Sequence, residues 1–371
     1  MNILLNMPSP PRDQPSGVGR FGLELSRRLI IRNRYRYSLR SQFRADDLDA
    51  PFVTLHNIVT IGGVRQYAKE ILQSSLTARF RPVFQSSDLV VNIDPLGVFA
   101  GGRARVTIVH DVYFATMPAR YGRLGVLKAW LIHHVVLSQS IRIVAISQST
   151  ANDIKRHFPR LAARVRVILA DSPMHAMPDP VWLSEWNNRC FVLAVANAMP
   201  NKNLETLGKA FCRVAAGHPE SLLIHVGSDP EDRLARIMAE HGFADRLVRQ
   251  RGISDAALAA LYQTARCLVA PSLYEGFCLP LLEAQRYGCP VVFANAPGTA
   301  EIGGSGGLRF DPMDVVTLAR LLDRVIRKPA LRSVMRARGY RNATRFSWER
   351  AAAEYEQVFA EALIETRVGR G

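Results

Sequence analysis

Two glutamates eight positions apart, Glu275 and Glu283, bracket the segment Gly276-Phe277-Cys278-Leu279-Pro280. Proline suits the first turn of a helix, where its missing N–H costs nothing. The spacing predicts a loop carrying Glu275, a helix opening near Pro280, and Glu283 about one turn inside it. The amides of Gly276, Phe277 and Cys278, with Leu279 behind them, then converge at the helix N-terminus. Unpaired N–H groups and the helix dipole both favour an anion there. Carboxylates accept charge-assisted hydrogen bonds from sugar hydroxyls. A phosphate cradle beside hydroxyl acceptors points to a sugar nucleotide. Taken alone, two such glutamates are more often just a loop carboxylate and a solvated helix residue.

The elements on either side decide the matter. Residues 266–270 and 288–294 are short apolar runs that read as buried strands. Strand, glycine loop, helix and strand form the unit whose carboxyl edge binds ligands in open parallel sheets. Upstream, residues 191–196 read as another strand, followed by Asn197, Pro200, Asn201 and Lys202. In the first half, residues 1–6 read as a strand too short, and too soon broken by prolines, to be a secretory signal. Ser16-Gly17-Val18-Gly19-Arg20-Phe21 then opens a helix through Leu23, Leu25 and Leu29. Glycines at such a turn let the backbone approach a phosphate, although Gly-x-Gly is also a plain turn. Residues 106–111 read as a strand ending in His110 and Asp111, and residues 144–149 as a strand leading into a helix over 150–158.

Taken in order, these segments resemble the retaining glycosyltransferases of family 4, which carry a Glu-x7-Glu motif on a GT-B fold. The likeness covers nearly all of the second half: the strand and loop through Lys202, Arg251-Gly252-Ile253-Ser254-Asp255, the Glu275–Glu283 block, Thr299-Ala300-Glu301-Ile302-Gly303-Gly304, and Phe346-Ser347-Trp348 before a closing helix. It implies two Rossmann-like α/β domains with a nucleotide-sugar site in the cleft between them. It further implies that Lys202 faces the donor pyrophosphate, aided by Gly17, Gly19 and Arg20. By the same resemblance Arg251, Gly252 and Ile253 lie near the base, Glu283 holds the ribose hydroxyls, and Glu275 and His110 hold the transferred sugar. The family is generally independent of metals, needs no other cofactor, and uses a front-face mechanism with no enzyme nucleophile. This chain departs from it in having no Arg in the 197–202 loop, where Asn197 and Asn201 stand, and in Cys278, where glycine is commoner.

Composition fits this organisation. A chain of 371 residues exceeds what one core usually serves. The proline-rich, aperiodic middle gives expected boundaries: a first domain over 1–170, a linker over 171–187, a second domain over 188–345, and a C-terminal helix over 346–371 crossing back to the first. Five cysteines without a Cys-x2-Cys pair argue against a disulfide framework or zinc site, and a reducing cytosol suits them. No apolar run approaches the ~20 residues of a spanning helix.

Charge is lopsided. Residues 1–170 carry 24 Lys/Arg against 10 Asp/Glu, the remainder 24 against 22. A one-sided positive field suggests an anionic partner. The densest run, Arg27 to Arg40, admits a solvated helix face with an edge strand, a nucleic-acid surface without any accompanying signature, or docking on an anionic leaflet at about 1 kcal/mol per basic residue. The leaflet is favoured, because similar enzymes take lipid-linked acceptors. Leu124, Leu127, Trp130, Leu131 and Val135 share one helical face beside Arg123 and Lys128, an insertion face or a core face.

The expected protein is thus a metal-independent hexosyltransferase at the inner face of the cytoplasmic membrane, with a nucleotide diphosphate sugar as co-substrate and a glycan or lipid-linked acceptor. Bacterial polysaccharide mannosyl- or rhamnosyltransferases are the nearest likeness, which makes GDP-mannose the first donor to test. Residues 55–67 are expected to read the acceptor. A catalytically inactive scaffold of the same fold and a sugar-nucleotide 2-epimerase are the competing readings. Binding without turnover would mark the first, and interconversion of free sugar nucleotides the second.

Overall fold

The structure is a computed structural model that describes residues 1–7, 17–41, 51–52, 55, 58–60, 86–95, 104–118 and 122–368. Ser16, Tyr121, most of the 55–67 loop and the last three residues lie outside the described residues. The chain divides into two compact units, residues 1–173 with 346–371, and residues 174–345.

The first unit is built on a seven-stranded parallel sheet in the order β3-β2-β1-β4-β5-β6-β7. Its strands are β1 (Asn2–Met7), β2 (Arg36–Ser41), β3 (Ile58–Thr60), β4 (Leu89–Asn92), β5 (Ala104–Val109), β6 (Arg142–Ala145) and β7 (Val165–Val167). Its helices are α1 (Gly17–Arg32), α2 (Tyr113–Thr116), α3 (Gly122–Ser138) and α4 (Gln148–His157). β4 and β5 are buried along their whole length, as a sheet covered on both faces requires. α1 lays Phe21, Leu25 and Leu29 on one buried face at helical spacing.

A buried polar ladder crosses this sheet near its carboxyl edge. Arg40 Nη1 donates to Asn6 Oδ1 (2.9 Å), Asn6 Nδ2 to Asn92 Oδ1 (2.9 Å), and Asn92 Nδ2 to Thr107 Oγ1 (3.3 Å). The pairings Asn6↔Arg40, Asn6↔Asn92 and Asn92↔Thr107 set these residues side by side. A slip of any strand would strand a buried amide, so the ladder pins the register. Part of the basic run is paired here: Arg28 with Glu24 (2.8 Å) and Glu349 (2.7 Å), Arg32 with buried Glu356 (3.0 Å), and Arg40 with Asn6. β2 lies between β3 and β1 instead of at the expected edge, because β3 pairs with it.

Unit 2 carries a six-stranded parallel sheet, β10-β9-β8-β11-β12-β13. Its strands are β8 (Phe191–Val195), β9 (Leu222–Val226), β10 (Leu247–Gln250), β11 (Cys267–Ala270), β12 (Val291–Ala294) and β13 (Gly307–Phe310). The helices are α5 (Pro180–Trp186), α6 (Leu204–Ala215), α7 (Arg233–Glu240), α8 (Asp255–Thr264), α9 (Leu279–Arg286), α10 (Thr299–Gly303), α11 (Val315–Arg327) and α12 (Pro329–Ala343). The expected linker is shorter than its composition suggested. α5 occupies its second half, since Asp179 accepts hydrogen bonds from Val181 N (2.8 Å) and Trp182 N (3.3 Å) and Pro180 opens the helix. Trp186 is buried against Phe191, with ring centroids 5.5 Å apart.

The chain then returns to unit 1 as α13 (Trp348–Val368). Trp348 is buried; its indole N–H donates to Ser172 O (3.0 Å) and its ring lies 5.3 Å from Phe21. Farther along, Arg142 pairs with Glu361 (3.2 Å) and Glu365 (2.6 Å).

Candidate functional site

At the carboxyl ends of β8 and β11, two loops are sewn together. Asn201 Nδ2 donates to Tyr274 O (3.1 Å), and Leu273 N to Asn201 O (2.7 Å). Asn203 Nδ2 donates to Pro271 O (3.1 Å) and Pro312 O (2.8 Å). Asn203 sits in the left-handed region (φ 50), which asparagine tolerates better than other side chains. It ends the Pro200–Lys202 turn and starts α6. This stitching brings Lys202 to Glu275: Nζ lies 2.6 Å from Oε1 and 2.8 Å from Oε2. Ser272 Oγ donates to the same Oε1 (2.7 Å).

Glu275 is also fixed through its main chain. Its N–H donates to Pro297 O (3.2 Å), and next to that carbonyl Gly298 adopts φ +78. A Cβ on Gly298 would lie 2.1 Å from Glu275 O, so only glycine fits. Downstream, α9 begins at Leu279 with Pro280 in its first turn. Cys278 precedes it at φ 72, ψ 63, a left-handed conformation that explains why glycine is the easier choice there. Burial pushes the Cys278 thiol well above its usual range. A small cavity is lined by Ala196, Lys202, Ser272, Glu275, Cys278 and Pro280. A larger pocket of about 440 Å³, lined among others by Met199, Arg233, Arg236 and Met313, includes neither glutamate.

Glu283 lies in α9, buried, and Oε2 accepts a hydrogen bond from Tyr262 Oη (2.9 Å). Burial first, and Glu283 second, push the Tyr262 phenol far up, so it stays a protonated donor. On the base side, Arg251 Nη2 donates to Asp229 O (3.2 Å), and Gly252 has φ +64 with open space around it. Ile253 follows on the way to α8, which Ser254 caps through Ala257 N (3.1 Å). Asn197 is exposed, and its Oδ1 accepts from Ser228 N (3.1 Å).

The remaining predicted residues belong to unit 1. α1 starts at Gly17, Gly19 is buried within it, and Arg20 is half-buried on its first turns. His110 follows β5; its Nε2 lies 2.8 Å from Ile93 O, and its ring meets Phe21 edge-on at 4.8 Å. Burial lowers the His110 pKa, so the ring is neutral at pH 7. A carbonyl partner requires Nε2 to carry the proton, which leaves Nδ1 as a hydrogen-bond acceptor. Asp111 accepts from Tyr113 N (3.0 Å) and so starts α2.

Sequence reasoning missed Ser272, Asn203 and Tyr262. Ser272 lies three residues ahead of Glu275 and the other two elsewhere, but none belongs to a pattern that announces a hydrogen bond to a site residue. Chemically, unit 2 offers one ammonium and two carboxylates at the edge of a parallel sheet, beside a helix N-terminus. That set suits a phosphorylated, polyhydroxyl ligand.

Residues 184–342 match the family model "Glycosyl transferases group 1". The MMP alpha-(1->4)-mannosyltransferase of Mycolicibacterium hassiacum is 28% identical over 265 residues, 69% of this chain and 64% of that protein, so less than two thirds of its length is spanned. The O-antigen chain mannosyltransferase B of Escherichia coli is 28% identical over 263 residues, covering 67% of this chain and 68% of that one. Among solved structures, the sucrose-phosphate synthase of Thermosynechococcus elongatus superposes with a TM-score of 0.78 at 18% identity, over 97% of this chain and 98% of that one. The chain has the two-domain GT-B fold and resembles polysaccharide mannosyltransferases.

Proposed function

We propose that this GT-B protein, with its glycosyl transferases group 1 segment, is a retaining, metal-independent hexosyltransferase in bacterial surface polysaccharide synthesis. The observation that carries this reading is the Lys202–Glu275–Ser272 cluster at the N-terminal approach to the helix that holds Glu283. Departure of a nucleoside diphosphate accumulates negative charge. Lys202 and the amides around Gly276–Leu279 are placed to stabilise it, and such preorganised donors commonly contribute ~10²–10³ in rate. In the free protein Glu275 neutralises Lys202. On donor entry the ammonium turns to the pyrophosphate, and Glu275, still held by Ser272, accepts from hydroxyls of the sugar. Within unit 1, His110 offers Nδ1 as an acceptor, and it is proposed to serve the donor along with Gly17, Gly19 and Arg20. Glu283 would take the ribose and Arg251–Ile253 the base. No enzyme nucleophile is assigned.

GDP-mannose is the first donor to test, supported by the likeness to two mannosyltransferases. The acceptor is a glycan or a lipid-linked oligosaccharide, reached at the inner face of the cytoplasmic membrane. The exposed face of α3 supports the membrane: Leu124, Leu127, Leu131 and Val135 stand in solvent beside exposed Arg123 and Lys128. Among the described residues no helix is long and apolar enough to cross a membrane. Vesicle sedimentation tests this: Leu127→Asp with Leu131→Asp should release the protein from phosphatidylglycerol vesicles, and unchanged binding would refute it.

For the reaction, a thermal-shift screen against GDP-mannose, UDP-glucose, UDP-GlcNAc, dTDP-rhamnose and the bare nucleotides is decisive. A shift for one donor, lost in Glu283→Ala, supports the donor site, and transfer from that donor then separates the transferase from a scaffold that binds without turnover. No shift on folded protein favours the scaffold reading.

A further inference from the structure

Tyr262 has no place in any motif, yet its position is tightly specified. It is fully buried in α8. Its ring lies nearly parallel to Tyr287, with centroids 6.0 Å apart and planes 13° from each other. Tyr287 is itself anchored, its hydroxyl donating to Ala176 O (2.7 Å). α8 is capped at Ser254, and its hydrophobic residues Ala257, Ala259, Ala260 and Leu261 are buried. The Tyr262 hydroxyl is therefore carried on a rigid element and cannot turn away from Glu283.

Packing alone does not call for that hydroxyl. Phenylalanine would fill the same slot without a polar atom to satisfy. Tyr287 shows how a neighbouring phenol is satisfied by a main-chain carbonyl. At Tyr262 the hydroxyl is instead committed to Glu283, a carboxylate that is itself buried. A carboxylate offers about four acceptor positions, and a donor held on Oε2 takes one of them and restricts how the group can turn. A vicinal diol needs two acceptor positions in a fixed orientation, whereas a single hydroxyl is satisfied by many.

We propose that Tyr262 is a positioning residue that orients Glu283 to take both hydroxyls of a ribose. It thereby restricts the donor to ribonucleoside diphosphate sugars and excludes their 2′-deoxy counterparts. The inference rests on the reading of Glu283 as the ribose acceptor. It places dTDP-linked sugars among the poor donors.

The test is calorimetric titration of the full chain with GDP, UDP and their 2′-deoxy analogues, together with donor steady-state kinetics. Wild type should prefer the better ribonucleotide over its deoxy form by about tenfold or more, the worth of one hydrogen bond to a charged group. Tyr262→Phe should weaken the ribonucleotide about tenfold and the deoxy form little, so that discrimination collapses, with KM rising more than kcat falls. Tyr287→Phe, which removes the half-buried hydroxyl of the other ring in the stacked pair, should leave discrimination intact. Equal weakening of both nucleotides by Tyr262→Phe, or full discrimination retained in it, would overturn the inference. If Glu283→Ala abolishes discrimination while Tyr262→Phe keeps it, only the role of Tyr262 fails. If Glu283→Ala changes neither nucleotide's affinity, the ribose reading fails and takes the inference with it.

Discussion

Gly298→Ala is the most informative single change, because the geometry separates two costs. The first is backbone strain: a side chain at φ +78 costs about 1–3 kcal/mol. The second is a clash, since the new Cβ would sit 2.1 Å from Glu275 O and 2.9 Å from Glu275 Cβ, against an ordinary contact of 3.4–4 Å. More than an ångström of movement is needed, and it falls on the residue that Lys202 and Ser272 hold. Overpacking of that kind adds about 1–3 kcal/mol. Gly242→Ala is a control that shares the positive φ, +79, but has nothing within 4 Å of its Cβ. Urea denaturation should therefore show a loss of about 1–2 kcal/mol for Gly242→Ala and about 2–6 kcal/mol for Gly298→Ala. Sugar transfer should fall about 10²-fold only in Gly298→Ala, the scale of a 1 Å misplacement at a reacting centre. Equal losses in the two variants, with transfer in Gly298→Ala within about threefold of wild type, would refute the account of Glu275's placement.

Further outcomes are expected. Lys202→Met keeps the length of the side chain but removes the charge, and should cost about 10²–10³ in turnover with the far-ultraviolet spectrum unchanged; a loss below tenfold would show that Lys202 is not the main counter-charge. Trp348→Phe removes the hydrogen bond to Ser172 O and part of a buried ring, so the first unit should lose about 1–3 kcal/mol by hydrogen-exchange protection; unchanged protection in α1 would contradict this. Burial lowers the pKa of His110, His133 and His225. The unfolded chain then takes up protons near pH 6.5 that the folded one refuses, so stability should hold above that pH and decline as pH falls below it. Denaturation midpoints that stay flat from pH 7.5 to 5 would contradict the shifts.

Much of the fold was legible because parallel strands buried on both faces appear as unbroken apolar runs. β8, β11 and β12 fall inside the runs read at 191–196, 266–270 and 288–294. Pro280 marked the start of α9 because its ring constrains the backbone whatever surrounds it. Long-range pairing was not legible. Lys202 and Glu275 are 73 residues apart, and the pairing of β8 with β11 together with the stitching by Asn201 and Asn203 joins them. Tyr262 sits in an ordinary amphipathic helix, where periodicity reports burial and not the partner of a hydroxyl. α3 shows the converse: its apolar spacing could not say whether a neighbour covers it, and the structure leaves Leu124 83% exposed. The arginines of residues 27–40 looked alike as charges, yet Arg28, Arg32 and Arg40 differ in whether carboxylates or a buried amide receive them.

The return of the chain at residue 346 has a consequence for synthesis. Unit 2 is one uninterrupted stretch, 174–345, and can fold as soon as it leaves the ribosome. The first unit begins earlier but cannot finish, since α1 lacks the cover of Trp348 and Arg32 lacks Glu356 until the last helix is made. During elongation its half-built surface must wait through 172 residues of intervening chain. That interval is when a chaperone would be most needed. Because Ser172 and Trp348 are hydrogen-bonded at the two crossing points, a short loop joining residue 173 to 346 should give a first unit that no longer has to wait.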